Sequence, residues 1–400
     1  MSAGAARPAV VVYTQEYPTP NDPTDGLFTQ QLADALACQV PVTVVCPVPW
    51  FPAPDVLLRR AGWVSARGIP RRLQRGETPV HYPLVPLVPV VTRAVQPQIQ
   101  ALCTLPLLRS LRRAGRLDVL NAHSVYPDGI AAAWLSDWVG VPLVLTAIGS
   151  DINANLGHPA RLRAIRRALR RASVVVGVST ALCEVMRGLE TGARIVRVPN
   201  GVDRGRFRPA SGAAAPPEPL GDERPIVLFV GRLHPVKGLD VLLEAVGRVR
   251  RQGRPPFQVV VVGEGPEAEA LLRQRAAFGI DQDVRFIGVR GHDAVGEWMR
   301  AAAVFCLPSR NEGMPNVLIE AQACGVPVVA TRVGGVGELV GPDSGILVDA
   351  GDAPALAAAL VRATAGAWSA TRVAEQVAWA DWDQSASRYV EIFRESAGTA

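Results

Sequence analysis

Lysine is nearly absent from this 400-residue chain: of 42 basic residues a single one, Lys237, is lysine. Histidine is held to five residues, cysteine to six and aromatics to 6%. Each shortage excludes something. The six cysteines (38, 46, 103, 183, 306 and 324) are scattered, mostly inside apolar runs, with no CxxC spacing and no histidine pairing. That is the pattern of free buried thiols rather than of a disulfide framework or a metal site, and no cofactor is expected. No apolar run reaches bilayer-crossing length, and Ala9 to Tyr13 meets Gln15 and Glu16 too soon to be a signal-peptide core. A cytoplasmic chain is the expectation. Gly263-Glu264-Gly265 is half a dinucleotide fingerprint, but Pro266 follows and the third glycine is missing, which excludes a dinucleotide-dependent oxidoreductase. No aromatics interleave with the arginines and no nucleic-acid reading motif accompanies them, so nucleic acid is not an expected partner.

What is present is globular: 48% apolar and 20% charged residues leave out a disordered chain and a coiled coil. A length of 400 exceeds what one core usually organises and predicts two or three domains. Charge is uneven, with 22 arginines against 13 acids through residue 205 and 20 basic against 23 acidic residues afterwards. The arginine clusters at Arg59 to Arg75, Arg109 to Arg116 and Arg161 to Arg171 suit anionic lipid headgroups or a polyanionic acceptor. In RLRAIRRALRR, Leu162, Ile165 and Leu169 fall at helical spacing. That stripe either lies on a membrane surface or is buried beneath a solvated arginine face.

Apolar β-rich runs alternate with helical patterns along the chain. In the first half they are Ala9 to Tyr13, Val42 to Cys46, Leu117 to Ala122, Pro142 to Thr146, Ser173 to Val178 and Ala193 to Val198. In the second they are Pro225 to Val230, Phe257 to Val262, Val284 to Ile287, Val304 to Leu307, Pro327 to Ala330 and Gly345 to Val348. This alternation predicts α/β architecture, two doubly wound parallel-sheet domains. Residues 47–97 break up under prolines and receive no assignment, an insertion more often working loop than scaffold. The predicted division is a domain over 1–208, a small-residue and Pro-rich linker over 209–221, a second domain over 222–367, and a helical segment over 368–400. Trp379, Trp382, Tyr389 and Phe393 give that last segment too many aromatics for water, so it is expected to pack across both domains.

In such folds ligands bind outside the carboxyl ends of strands, and four loops there are informative. GRLHPVKGLD follows Pro225 to Val230: Gly231 allows a tight turn, Arg232 and Lys237 supply cations, and Gly238 opens a helix. A chain so biased to arginine that keeps lysine here points to a phosphate needing a compact ammonium, chance being the alternative. The loop after Leu117 to Ala122 offers His123, able to donate to a hydroxyl or phosphate or to be satisfied by neighbouring backbone. After Pro142 to Thr146 comes Asp151, a carboxylate in the cleft or a plain N-cap. Pro199 to Asp203 is a turn facing the cleft or shaping the linker. Finally, Glu312 and Glu320 flank an elbow, Gly313, Met314, Pro315 and Asn316, that opens a helix running to Cys324 before Gly325 stops it. This is either a sugar-phosphate clamp on free helix N–H groups or an ordinary connection with exposed acids.

VGRLHPVKGLDVLLEAV, E312-GMPNVLI-E320 and ACGVPVVAT together resemble the retaining glycosyltransferases of family 4, which have the GT-B fold. AHSVYPDG, the triplet Gly149 to Asp151 and VPNGVD are similar to that family's first half, in the same order, so the match spans nearly the whole chain. PTPNDPTDGLFTQQL, AHSVYPDGIAAAWL and EGMPNVLIEA look most like bacterial enzymes that build exopolysaccharide, capsule or teichuronic-acid-type polymers. The resemblance implies two Rossmann-like domains facing a cleft, with transfer of a hexose-type sugar from a nucleotide diphosphate sugar, UDP-linked ahead of GDP-linked, to a glycan or lipid-linked acceptor. It implies that Arg232 and Lys237 hold the diphosphate, that Glu312 takes sugar hydroxyls, and that the backbone of Gly313, Met314, Pro315 and Asn316 takes sugar and phosphate. Glu320 would take the ribose and the loop with Gly288 and Arg290 the base. Gly26 would lie near the donor phosphates, and His123 and Asp151 near the reacting carbon. Apart from the resemblance, the arginine clusters make peripheral contact with an anionic membrane through the basic first half an expectation of the charge pattern. No metal is implied. Asp281-Gln282-Asp283 has DxD spacing but precedes a strand, at the wrong end for the site, and reads as a turn. Sharing the architecture are a nucleotide-sugar epimerase, a phosphorylase and a non-enzymatic nucleotide-sugar sensor, the open alternatives.

Overall fold

Valine-rich runs flanked by glycine and proline become strands buried on both faces, as parallel sheets require. A computed structural model describes residues 7–51, 66–88, 92, 94–212, 214–253 and 255–398. Arg59 and Arg60 of the first arginine cluster lie outside these. The chain forms two units, Met1–Asn200 with Trp382–Ala400, and Gly201–Asp381.

The first unit holds β1 (Val10–Tyr13), β2 (Val42–Val45), β3 (Val48–Trp50), β4 (Arg72–Arg75) and β5 (Thr78–His81). It continues with β6 (Leu84–Pro86), β7 (Val119–His123), β8 (Leu143–Ala147), β9 (Val174–Gly177) and β10 (Ile195–Arg197). Eight strands make one sheet in the order β10-β9-β8-β7-β1-β2-β5-β4. Every pair is parallel except β4 with β5, so the expected all-parallel sheet acquires an antiparallel edge. The stretch without assignment supplies that edge and the small β3-β6 ribbon. Its strands are short, and Arg72–Arg75 is polar along its length, which suits an edge exposed to water. The helix Trp382–Gly398 belongs to this unit: Tyr389, Ile392 and Phe393 join Leu32, Leu36, Val10 and Val12 in one core. The preceding helix, Ala370–Glu375, lies in the second unit, so the C-terminal segment is two helices rather than one.

The second unit holds β11 (Ile226–Val230), β12 (Gln258–Val262), β13 (Val284–Gly288), β14 (Val304–Leu307), β15 (Val328–Thr331) and β16 (Gly345–Val348). They form one parallel sheet, β13-β12-β11-β14-β15-β16. Helices Leu239–Gln252 and Ala353–Ala365 cover it with Leu242, Leu243, Val246, Leu356 and Leu360, all buried. Residues 209–212 and 214–221, with no helix or strand, are part of this unit.

Candidate active site

Strand order in the second unit reverses its direction of winding at β11 and β14, the arrangement that opens a crevice at the carboxyl edge. Loops 231–238 and 308–315 flank it. Gly238 ends the first with φ 66°, and a Cβ there would stand 2.0 Å from the Pro308 carbonyl oxygen; only glycine lets the loops meet. Arg310 ties them again, donating to both Asp240 carboxylate oxygens at 2.6 and 2.8 Å and to the Pro235 carbonyl. That guanidinium pulls the Asp240 pKa below the usual carboxylate range. Gly263 and Gly265 support the first loop from the side, since Cβ atoms would come within 2.0 Å of the Gly231 oxygen and 2.3 Å of the Leu233 oxygen. The half fingerprint is a steric requirement of the neighbouring loop.

Lys237 and Glu312 meet here. Lys237 Nζ donates to Glu312 Oε1 at 2.7 Å, and Ser309 Oγ donates to the same oxygen at 2.6 Å. Arg232 is exposed and has no ion pair among the described residues. One predicted phosphate cation is therefore held by the predicted sugar carboxylate, and the other is open. A turn at 332–335 buttresses Glu312: Gly334 has φ 48°, and a Cβ on it would fall 1.8 Å from the Glu312 carbonyl oxygen. Gly335 N donates to Gly313 O at 3.0 Å, and Met314 is buried. Pro315 caps the helix Asn316–Ala323, making Asn316 its first residue. One face of that helix carries Glu320, whose Oε1 lies 3.0 Å from His292 Nε2.

Gly288 takes φ 73° at the end of β13, where its carbonyl accepts from Gly263 N at 2.9 Å. Arg290 is held at 2.8 Å by Glu218 and donates to the Ile287 carbonyl. Asp281 pairs with Arg275 at 3.0 Å and Asp283 with Arg224 at 2.8 Å in the turn before β13. The DxD-spaced pair is thus engaged by arginines away from the carboxyl edge.

In the first unit the carboxyl ends of β1, β7 and β8 bring Glu16, His123 and Asp151 to one edge. Gly26 caps the helix Leu27–Ala37 with φ 64°, packed so that a Cβ would lie 2.3 Å from the Glu16 carbonyl. Asp151 Oδ2 accepts from Val125 N at 2.6 Å, and Oδ1 accepts from Gly149 N at 2.8 Å and Ile148 N at 3.2 Å. It fastens two loops together; burial raises its pKa against those hydrogen bonds. Burial, with Asp25, Asp151 and Asp128 adding repulsion, holds the Glu16 carboxyl well above the usual range. Asp128 accepts from Gln100 Nε2 at 2.6 Å and Gln15 N at 2.8 Å, and burial pushes it up to about 7.

His123 Nε2 lies 2.9 Å from Asn121 Oδ1. Asn121 Nδ2 donates to the Val144 carbonyl, which can only accept, at 3.3 Å, and this fixes that amide with its oxygen toward the imidazole. Nε2 therefore carries the proton, and the buried Nδ1 is an acceptor without a partner among the described residues. Burial lowers the His123 pKa to about 4, so the ring is neutral. Of the two sequence readings, donor to a ligand or histidine satisfied by its neighbours, Nε2 is satisfied by the Asn121 side chain and Nδ1 is not satisfied among the described residues. Sequence reasoning misses Arg310, Ser309 and His292, although each stands in or beside a loop at a strand's carboxyl end.

Elsewhere in this unit Ile165, Ala168 and Leu169 of the helix Pro159–Arg171 are buried, so its apolar stripe faces the unit's own core. Arg163, Arg166, Arg167 and Arg170 are exposed, with no ion pair among the described residues. Between this helix and Ile130–Val139 runs a groove of about 710 Å³ lined by Ile130, Trp134, Ala160, Ala164, Arg163 and Arg167.

Two α/β units built on largely parallel sheets, the second with its switch point between β11 and β14, are the architecture of the GT-B class. The Glycosyltransferase Family 4 profile matches residues 26–206 and the Glycosyl transferases group 1 profile residues 224–365. The Bacillus subtilis (strain 168) protein named for teichuronic acid biosynthesis, the glycosyltransferase TuaC, is 33% identical over 358 residues, 87% of each chain. A D-inositol 3-phosphate glycosyltransferase of Saccharomonospora viridis is 33% identical over 79% of each chain. Among solved structures, sucrose-phosphate synthase from Thermosynechococcus elongatus superposes with TM-score 0.76 at 19% identity, over 98% of this chain and 100% of that one. Anabaena HepE in complex with UDP gives 0.67 at 20%, over 96% and 99%. The chain belongs to glycosyltransferase family 4 and is an enzyme of that class.

Proposed function

We propose that this glycosyltransferase moves a hexose-type sugar, with retention of anomeric configuration, from a nucleotide diphosphate sugar to a hydroxyl of a glycan or lipid-linked glycan in bacterial surface polysaccharide synthesis. The observation that carries the reading is the Lys237–Glu312 pair beside the open Arg232 at the switch point. A diphosphate draws Lys237 away from Glu312 and frees that carboxylate for sugar hydroxyls. Both cations then face the leaving group, where negative charge grows as the bond from C1 to the phosphate oxygen breaks. The acceptor oxygen bonds C1 from the same side, and its proton passes to the departing phosphate oxygen. The N–H groups at Asn316 add positive potential at the phosphate, and no metal is needed for neutralisation. Glu320 takes the ribose, and the loop of Gly288 and Arg290 takes the base. His123 Nδ1 accepts from a sugar hydroxyl, while Asp151 and Gly26 shape the loops around it. That HepE is described with UDP and with UDP-glucose favours a UDP donor.

The basic first unit meets an anionic membrane through Arg163, Arg166, Arg167 and Arg170, with the groove beside Trp134 as apolar complement. The testing experiment is a screen of UDP- and GDP-sugars with and without glycan acceptors, scoring nucleotide diphosphate release and product linkage. Acceptor-dependent transfer from a UDP-hexose with retained configuration is expected. Sugar epimerised without acceptor replaces this reading with an epimerase, and donor binding without release replaces it with a sensor.

A further inference from the structure

His292 is the first residue of the helix His292–Ala301, and three groups fix its ring. Arg206 Nη1 lies 3.0 Å from Nδ1. A guanidinium only donates, so Nδ1 is the acceptor and the proton sits on Nε2. Nε2 then donates to Glu320 Oε1 at 3.0 Å. Phe207, fully buried, meets the imidazole edge to face with centroids 4.8 Å apart. Arg206 is itself anchored, its Nε donating to Asp293 Oδ1 at 2.5 Å while its carbonyl accepts from Arg300 at 2.9 Å. Among the described residues, Glu320 Oε2 has no hydrogen-bond partner.

We infer that Arg206 and His292 form a relay that positions Glu320 for the nucleoside. Arg206 fixes the tautomer, His292 fixes the carboxylate rotamer through Oε1, and Oε2 is left to accept from the two ribose hydroxyls. Side chains held in the bound geometry lose less freedom on binding, so the relay acts on donor affinity. His292 is a positioning residue, and the inference rests on Glu320 contacting the ribose.

Calorimetry with UDP and with 2′-deoxy-UDP tests it on the wild type, His292→Ala, His292→Gln, Glu320→Gln and the His292→Ala/Glu320→Gln double variant, with melting temperatures measured in parallel. Loss of one oriented hydrogen bond predicts UDP binding weaker by roughly five- to tenfold in His292→Ala. Recovery is expected in His292→Gln, whose amide still donates to Oε1. The double variant should be no weaker than Glu320→Gln, and donor KM should rise more than kcat falls. Wild-type UDP affinity in His292→Ala, or additive losses in the double variant, overturns the relay while leaving the ribose contact standing. Unchanged UDP affinity and unchanged preference over 2′-deoxy-UDP in Glu320→Gln overturn the ribose contact itself. Should His292→Ala melt early, His292→Gln decides: a Gln variant stable but as weak as Ala counts against the relay.

Discussion

At the residue scale the site rests on a few groups whose partners define what each can do. Lys237 shares Glu312 with Ser309, so Lys237→Ala should leave the fold intact and lower kcat about 100- to 1,000-fold, the usual cost of losing one charge aimed at a developing anion. Turnover above about a tenth of wild type would remove Lys237 from the phosphate. His123 and Asp128 make a second prediction, in pH. The folded His123 pKa of about 4 lies below the ordinary 6.5, so the unfolded chain binds the extra proton between those values and stability is lost as pH falls through that window. Asp128 acts oppositely: its folded pKa of about 7 lies above the ordinary 3.8, so stability is lost as pH rises from 3.8 to 7. The two contributions oppose each other between pH 4 and 6.5, and Glu16 and Asp151, also raised by burial, act in the same direction as Asp128. Relative to the wild type, Asp128→Asn should lose stability toward acid, and His123→Gln should gain it. Parallel profiles for both variants would sink the assignment. The motifs made Arg232, Lys237, Glu312 and Glu320 legible in the sequence. The tautomer of His123 was not legible, because it depends on Asn121 and the Val144 carbonyl, brought together by neighbouring strands.

At the element scale, the strand-loop-helix units were readable because valine runs and glycine stops are local signals. The β14 loop shows the limit. Arg310 looks like one more surface arginine until β11 and β14 become neighbours and place it on Asp240, 70 residues earlier. The edge β4 and the β3-β6 ribbon were hidden for the same reason, since short polar or Pro-containing strands declare themselves only by their partners. The joint between the two loops is testable. Gly238→Ala places a Cβ 2.0 Å from the Pro308 oxygen in left-handed backbone, where the conformation alone costs about 1–2 kcal/mol. The clash then drives the loops apart. Loss of activity with a lowered melting temperature is expected, whereas Arg310→Lys, which keeps one ion pair but not the fork, should weaken donor binding with less loss of stability. A Gly238→Ala enzyme with wild-type melting and turnover would show that the loops need not touch.

At the scale of the whole molecule the charge asymmetry acquires an address. The net charge of +6 is carried by the first half, and the helix Pro159–Arg171 turns its apolar residues into the unit's core while Arg163, Arg166, Arg167 and Arg170 face water. The apolar residues are therefore not available for insertion into lipid, and the proposed membrane contact rests on attraction between guanidinium groups and headgroup phosphates. Among the described residues no helix is long and apolar enough to cross a membrane. Each basic group near an anionic surface contributes about 1 kcal/mol. Replacing all four arginines with glutamine should lower partition onto phosphatidylglycerol vesicles by roughly a thousandfold at low salt, if each contributes that much. Binding should also weaken steeply between about 50 and 500 mM salt, as the screening length shrinks below the reach of exposed charges. Turnover on a soluble acceptor should be unchanged in that variant, because none of the four lies in the donor site. Vesicle binding that survives the four substitutions, or that is insensitive to salt, would move the membrane contact elsewhere on the chain.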